Sequence, residues 1–154
     1  MTDNRASREA GYTLIELATA VLILAVVSGV SFFKLRPVLE HGRVNSAAAT
    51  LATDLQYAQF LAARQRTPVV VIPTSATKSY IIRDRADATA IYKTRYMDSN
   101  TEYGLDSLTT TASSLEIFPT GVTHATTTLT LWLGGYNRQV RFTKAGQIRV
   151  VNGP

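Results

Sequence analysis

The distribution of apolar residues divides this chain into three parts. Residues 12–33 are almost uniformly apolar, and Glu16 is the only charged residue among them. Roughly 20 apolar residues in a helix cover a bilayer core of about 30 Å. Lipid offers no partners for backbone N–H and C=O groups, so a single spanning segment has to be helical. The pattern therefore predicts a membrane-spanning helix over residues 12–33.

The second part, residues 34–66, is apolar on one side only. Polar residues such as Asn45, Asp54, Gln56 and Arg64 fall elsewhere on the helical cylinder. This spacing predicts an amphipathic helix that continues the first one and packs on a core. Pro37 should kink or locally break it, and it should end near Gln65 or Arg66, because a residue before proline avoids the helical region. The apolar stripe consists of Val44, Ala48, Leu51, Leu55, Ala58 and Ala62.

The third part, residues 67–154, is rich in short β-type segments separated by polar turns. Residues 98–114 show no clear period and are expected to form a loop. The last segments alternate through tight turns, which predicts a β-meander. The sequence thus favours an α+β fold, a long N-terminal helix packed on an antiparallel β-sheet head. The expected strands are 69–72, 80–83, 90–95, 115–118, 128–133, 139–143 and 147–151.

Glu16 is unusual because a carboxylate within hydrocarbon costs about 2.5–3.5 kcal/mol even on lenient scales. It belongs to the string Gly11-Tyr12-Thr13-Leu14-Ile15-Glu16-Leu17, which follows a short polar leader and opens the apolar run. This arrangement closely resembles the type III signal of type IV pilins and type II secretion pseudopilins. The resemblance implies that residues 1–11 are a leader, that a prepilin peptidase cuts after Gly11, and that Tyr12 becomes the methylated N-terminus. It also implies that Glu16 guides packing with other major and minor pilins in a helical filament.

The same resemblance implies a single-pass protein of the bacterial inner membrane. Its C-terminal head would lie in the periplasm, and the filament would be periplasmic or on the surface. Two alternatives remain at this point. The run could be an ordinary secretory signal cut within residues 28–31, or a plain anchor for a periplasmic domain.

A second resemblance narrows the family. The pattern Arg-x-x-x-Ala-Ala-x-x-Leu-x-x-Asp-Leu-x-x-Ala-x-x-x-Ala spans residues 43–62 and leads into a Pro-Val-Val-Val strand. The last part of the chain contains two Phe…Gly turns that would serve, Phe-x-x-Gly from Phe118 and Phe-x-x-x-Gly from Phe142, and it continues with Gly-x-Ile-Arg at 146–149. These features are similar to minor pseudopilins of the GspH/FimT type. The resemblance implies a non-enzymatic assembly subunit without a cofactor.

Composition adds little chemistry to this picture. The net charge is +5, and cysteine is absent, which excludes disulfides and thiolate metal sites. His41 and His124 stand in unrelated contexts, so no metal or catalytic site is predicted. Asp84, Arg85 and Asp87 lack the ligand ladder of a calcium loop and are expected to form a solvated turn.

One basic cluster is a candidate binding site. Arg138, Arg141, Lys144 and Arg149 fall in the last hairpin, with aromatic residues Tyr136 and Phe142 among them. Basic residues beside aromatics suit a nucleic-acid backbone. Some FimT-type minor pilins bind DNA through a motif similar to Gly-Arg-x-Arg, whereas this chain has Gly-Gln-Ile-Arg at 146–149. DNA binding is therefore the alternative function, and outward charges that protect a sheet edge are the simpler explanation.

Overall fold

The computed structural model describes residues 12–153, apart from the side chains of residues 30–35. One long helix, α1 (Leu14–Gln65), precedes eight strands. The strands are β1 (Val69–Thr74), β2 (Ser79–Asp84), β3 (Ile91–Tyr96), β4 (Ser107–Thr110), β5 (Leu115–Ile117), β6 (Thr127–Leu133), β7 (Tyr136–Phe142) and β8 (Ile148–Asn152). The chain forms two units, Met1–Arg36 and Pro37–Pro154.

The first half of α1 presents apolar side chains to its surroundings. Leu14, Leu17 and Leu24 are all more than half exposed. Among the described residues, no helix combines the length and the apolarity that a membrane crossing requires. The helix runs through Pro37 without interruption, so the predicted continuation is confirmed and the alternative of a local break is wrong. Proline removes one backbone donor, and the bonds of the neighbouring turns suffice to carry the helix past it.

The second half of α1 packs on the head as the sequence predicts. All six residues of the predicted stripe are buried, and Ala47 and Leu61 widen it. The helix ends at Gln65, and the next residue, Arg66, has a φ of 57°. This is the left-handed conformation that commonly terminates a helix.

The strands form two antiparallel sheets of four strands each, in the orders β3-β2-β1-β5 and β4-β6-β7-β8. We call them the first and the second sheet. The prediction of one head sheet is therefore refined, and the predicted loop over 98–114 is wrong in part, because β4 lies inside it. Ser107–Thr110 is too short to show a period by itself, and pairing with β6 fixes it as a strand. The predicted meander is confirmed, since β6, β7 and β8 are neighbours in sequence and in the sheet.

Alternation within the second sheet separates a buried face from an outer face. Leu129, Leu131 and Leu133 of β6 are buried, while the residues between them are partly exposed. Buried side chains of α1 and of both sheets join one hydrophobic core. The head is therefore held together by one helix face against two sheets.

A glycine turn closes the β7–β8 hairpin against the helix. Gly146 has a φ of +84°, and a Cβ there would lie 2.3 Å from the carbonyl oxygen of Gly121. The side-chain amide of Gln59 on α1 donates to the carbonyl oxygens of Gly121 and Gly146, at 3.1 and 2.8 Å. The turns before β6 and before β8 are thus held together and tied to α1.

Candidate functional site: the helix start and the basic hairpin

The start of α1 is built as an N-terminal cap. Thr13 precedes the helix, and its carbonyl oxygen accepts the N–H of Leu17 at 3.2 Å. Its Oγ1 also accepts the N–H of Glu16 at 3.3 Å. The string Thr-x-x-Glu is the pattern of a capping box, and a carboxylate in the first turn is favoured by the helix dipole. Thr13 and Glu16 therefore define where the helix begins.

The other residues of the predicted processing site lie just before this cap. Gly11 falls outside the described residues. Tyr12 is outside the helix and 86% exposed. Glu16 is exposed as well. Both residues are therefore accessible to another protein in the described structure.

The structure divides the predicted basic cluster between two faces of the second sheet. Arg138 shares the face of Val140 and Phe142, both buried, and its Nε donates to Asn45 Oδ1 of α1 at 2.6 Å. Because side chains alternate along a strand, Arg141 lies on the opposite, outer face. Arg138 thus belongs to the contact between helix and sheet, on the face opposite to Arg141.

Arg141 and Arg149 are direct cross-strand partners in the register of β7 with β8. Both are exposed, and the Arg149 guanidinium donates to Gln147 Oε1 at 3.1 Å. Lys144 lies in the turn between the two strands and is exposed. Three of the four predicted cations thus remain on one accessible end of the hairpin. The aromatic residues are not available beside them, since Phe142 is buried and Tyr136 packs edge-on against His41 with 5.3 Å between the rings.

A buried carboxylate joins α1 to the first sheet. Asp54 is 2% exposed, and its Oδ2 accepts the Tyr80 hydroxyl at 2.7 Å. Lys93 Nζ lies 2.5 Å from Oδ1, and Arg95 Nε lies 3.1 Å from Oδ2. Lys93 also lies 5.6 Å from the centre of the Tyr57 ring. A second nitrogen of Arg95, Nη2, lies 3.5 Å from Oδ1, so two cations and a phenol occupy the four acceptor positions of the carboxylate.

The electrostatics of this cluster follow from its geometry. Burial raises the pKa of Asp54, but hydrogen bonds from Lys93, Arg95 and Tyr80 outweigh burial and hold that pKa below its ordinary value. Burial and the neighbouring carboxylate raise the pKa of Tyr80. The bond to Asp54 likewise raises the pKa of Arg95. Asp54 is thus ionised and Tyr80 neutral at physiological pH.

The remaining charged candidates make local contacts. His124 lies 3.5 Å from Glu116, and its ring packs edge-on against Phe118. The Arg85 Nε lies 2.7 Å from the other oxygen of Glu116. Asp84 accepts the N–H groups of Ala86 and Asp87, as expected of the predicted turn. Within residues 12–153, no group of three or more potential ligands is arranged to hold a metal ion.

Comparison with known proteins identifies the family. The family described as "Type II transport protein GspH" matches residues 47–146, which is more than half of the chain. The chain belongs to the GspH family. The "Prokaryotic N-terminal methylation motif" also matches, over residues 6–32. No curated protein sequence matches the chain.

Solved structures agree with this assignment at the level of the fold. The type IV minor pilin FimU of Pseudomonas aeruginosa has 20% identity and a TM-score of 0.57, over 77% of this chain and 93% of FimU. A second crystal form of FimU has 18% identity and a TM-score of 0.56, over 70% and 91% of the two chains. The minor pseudopilin EpsH of the Vibrio cholerae type 2 secretion system has 14% identity and a TM-score of 0.58, over 71% and 97%. This GspH-family chain thus has a pilin-like fold.

The prediction that Asp54 lies on the polar side of α1 is wrong for this GspH-family chain, because Asp54 is buried. It lies three residues after Leu51 and four before Ala58, which are both in the stripe. Lys93 and Arg95 alternate on β3 and therefore face the same side. Both spacings are visible in the sequence, but only the structure shows that Asp54 meets Lys93 and Arg95.

Proposed function

We propose that this chain is a minor pseudopilin, a structural subunit of a type II secretion or type IV pilus-like filament. The observation that carries the proposal is the methylation motif at residues 6–32, which coincides with the capped start of α1. The head supports it with a pilin-like fold found in both a minor pilin and a minor pseudopilin. The role is one of assembly, which the GspH family match and the minor pilin and minor pseudopilin that share the fold support.

Processing would prepare the subunit for the filament. Prepilin peptidase cuts after Gly11 and methylates Tyr12, which makes residues 1–11 a leader. Residues 12–33 hold the subunit in the inner membrane and then in the filament core, residues 34–66 continue into the head, and residues 67–154 complete the head in the periplasm. The long apolar run supports this proposal, since it is more extensive than the roughly 7–15 residues of an ordinary secretory signal.

Glu16 would act through its charge. Cleavage after Gly11 creates an amine at Tyr12, close in sequence to Glu16. In a filament, the amine of a neighbouring subunit offers the same cation. Because opposite charges a few ångströms apart offset the cost of removing both from water, the pair would guide each subunit to its position.

Two measurements test the proposal. Mass spectrometry of the protein purified from its membrane should find a mature chain that begins with methylated Tyr12. A chain that begins at Met1 or beyond Ser28 contradicts it. Glu16→Ala should be processed normally and fail to enter filaments, whereas normal incorporation would refute the pairing of Glu16 with the amine.

DNA binding by the basic hairpin is the second candidate function. Arg141, Lys144 and Arg149 favour it, because all three are exposed at one end of the hairpin. Gel shifts with duplex DNA at rising salt test it, since each neutralised phosphate adds about one unit to the salt slope. Binding that survives alanine at Arg141, Lys144 and Arg149 would exclude this end of the hairpin as the site, and Arg138 is left unchanged because it contacts α1.

A further inference from the structure

The edge of β8 lacks the short length, the bulge and the inward charges that protect the other sheet edges, and it carries only the outward charge of Arg149. Exposed edges are commonly kept from pairing by short strands, bulges or charges that point inward. Of the other edge strands, β4 has four residues and β5 has three. The third, β3, has an irregular register and turns Lys93 and Arg95 toward Asp54. In contrast, β8 has five residues in regular register and no proline.

The alternation of hydrogen-bonded and non-hydrogen-bonded pairs between β7 and β8 shows which backbone groups face this edge. Thr143 N–H donates to the carbonyl oxygen of Gln147 at 2.9 Å, so this pair is of the hydrogen-bonded type. Pairs alternate between bonded and non-bonded along antiparallel strands. In the observed register, Arg149 and Val151 therefore bond to β7. Consequently, Val150 directs its N–H and C=O away from β7, at the middle of the open edge.

The side chains along this edge are suited to an acidic partner. Arg141 and Arg149 lie directly opposite each other, and like charges in that position destabilise a sheet. Among the described residues, neither guanidinium has a carboxylate within 4.0 Å. On the other face, Val150 is 46% exposed. The edge thus offers a pair of uncompensated positive charges on one face and an apolar side chain on the other.

We propose that β8 accepts an extended acidic segment of a partner protein, which adds to the second sheet as a further strand. The backbone of Val150 supplies hydrogen bonds, and Arg141 and Arg149 face an acidic side chain of the segment. Main-chain bonds then provide affinity, and alternate side chains provide specificity. This inference goes beyond filament assembly, because it assigns to the head a binding site for a separate partner. A soluble peptide can therefore test it in the absence of a filament.

The test uses the full chain in detergent micelles and a fluorescent peptide of alternating glutamate and valine. Binding is measured by anisotropy. Val150→Pro removes the outward N–H and leaves the bonds of Arg149 and Val151 to β7, since proline is tolerated where the N–H of an edge strand faces solvent. It should weaken binding by about tenfold or more. The matched control Val150→Thr keeps the N–H and should bind within about threefold of the parent chain.

A charge-reversal variant provides a second test of the proposed peptide binding. Arg149→Glu should abolish binding of the glutamate peptide, and a peptide with lysine in place of glutamate should then bind. Hydrogen exchange gives a readout that does not depend on the proline variant, since peptide addition should slow exchange within residues 148–152.

Three outcomes would overturn the proposal. The first is no binding or no protection of residues 148–152 in the parent chain. The second is peptide binding that Val150→Pro leaves unchanged. The third is binding of duplex DNA that slows hydrogen exchange in the hairpin, depends on Arg141 and Arg149, and is unchanged in Val150→Pro. This outcome would assign the surface to nucleic acid.

Discussion

The Tyr80 hydroxyl of β2 donates a 2.7 Å hydrogen bond to Asp54 Oδ2 of α1. The same carboxylate accepts bonds from Lys93 and Arg95 on β3. A single side chain of the helix is thereby tied to two neighbouring strands of the first sheet. This contact fixes the rotation of α1 on that sheet, which an apolar stripe alone would define less sharply.

Replacing Asp54 with asparagine should destabilise the head by about 2–3 kcal/mol. The change keeps the shape but removes the charge that faces two cations. The expected cost lies below that of a fully buried pair, because the side chains of Lys93 and Arg95 are 33% and 29% exposed. Urea unfolding of the full chain in micelles, followed by the fluorescence of Trp132, the only tryptophan, measures it. Glu102→Gln, at an exposed carboxylate, is the control and should change stability by less than about 0.5 kcal/mol.

The advantage of Asp54 over asparagine should disappear in acid. The folded state lowers the pKa of this carboxyl, so its contribution is complete above the unfolded value of about 3.9 and is lost as the pH falls through the folded value. The difference in unfolding free energy between the parent chain and Asp54→Asn, measured from neutral pH downward, should therefore begin to shrink below about pH 4 and disappear below the folded pKa. A difference that stays constant with pH would show that the charge of Asp54 does not stabilise the fold.

Alanine at Gly146 should cost about 1–3 kcal/mol from backbone conformation alone. The residue has a φ of +84°, and the added Cβ would lie 2.3 Å from the carbonyl oxygen of Gly121, so the two turns would also have to separate. Gly135→Ala is the matched control, because a Cβ there meets nothing within 4 Å. Equal denaturation midpoints for the two variants would contradict this account of the hairpin turn.

Replacing Glu16 with glutamine distinguishes the capping of α1 by this residue from the pairing of its charge with an amine. Glutamine serves at the third position of a capping box as glutamate does, but it has no charge to pair with an amine. If the charge matters, Glu16→Gln should fail to enter filaments, while Thr13→Ala should lose only the cap, worth about 0.5–2 kcal/mol, and still assemble. Filament fractions from cells that express each variant decide between them. If Glu16→Gln assembles normally, or if Thr13→Ala is the only one of the two variants that fails to assemble, the role of Glu16 is helix capping.

Much of the fold follows from local patterns in the sequence. The stripe from Val44 to Ala62 predicted the packed half of α1, and Thr67 before Pro68 predicted its end near Gln65 or Arg66, which the structure places at Gln65. The final three strands followed from alternation and turn residues. By contrast, β4 was missed because its four residues show no usable period, and only pairing with β6 makes them a strand.

The basic hairpin shows that local patterns leave the candidate site incompletely defined as well. Sequence proximity grouped Arg138 with Arg141, but a strand alternates its side chains, and the structure directs Arg138 to Asn45 on α1. Which face of β7 is buried depends on the element that packs against it, here α1. The spacing of the cations along the strand gives no information about that packing.

The sequence by itself determined the apolar run, the amphipathic stripe and the C-terminal meander. These features depend on residues close in the chain, whose periodicity and turn chemistry act locally. Only the tertiary structure decided the division into two sheets, the pairing of Asp54 with Lys93 and Arg95, and the open edge of β8. Each of these brings together groups distant in sequence, and burial and strand pairing select among partners that local patterns leave equivalent.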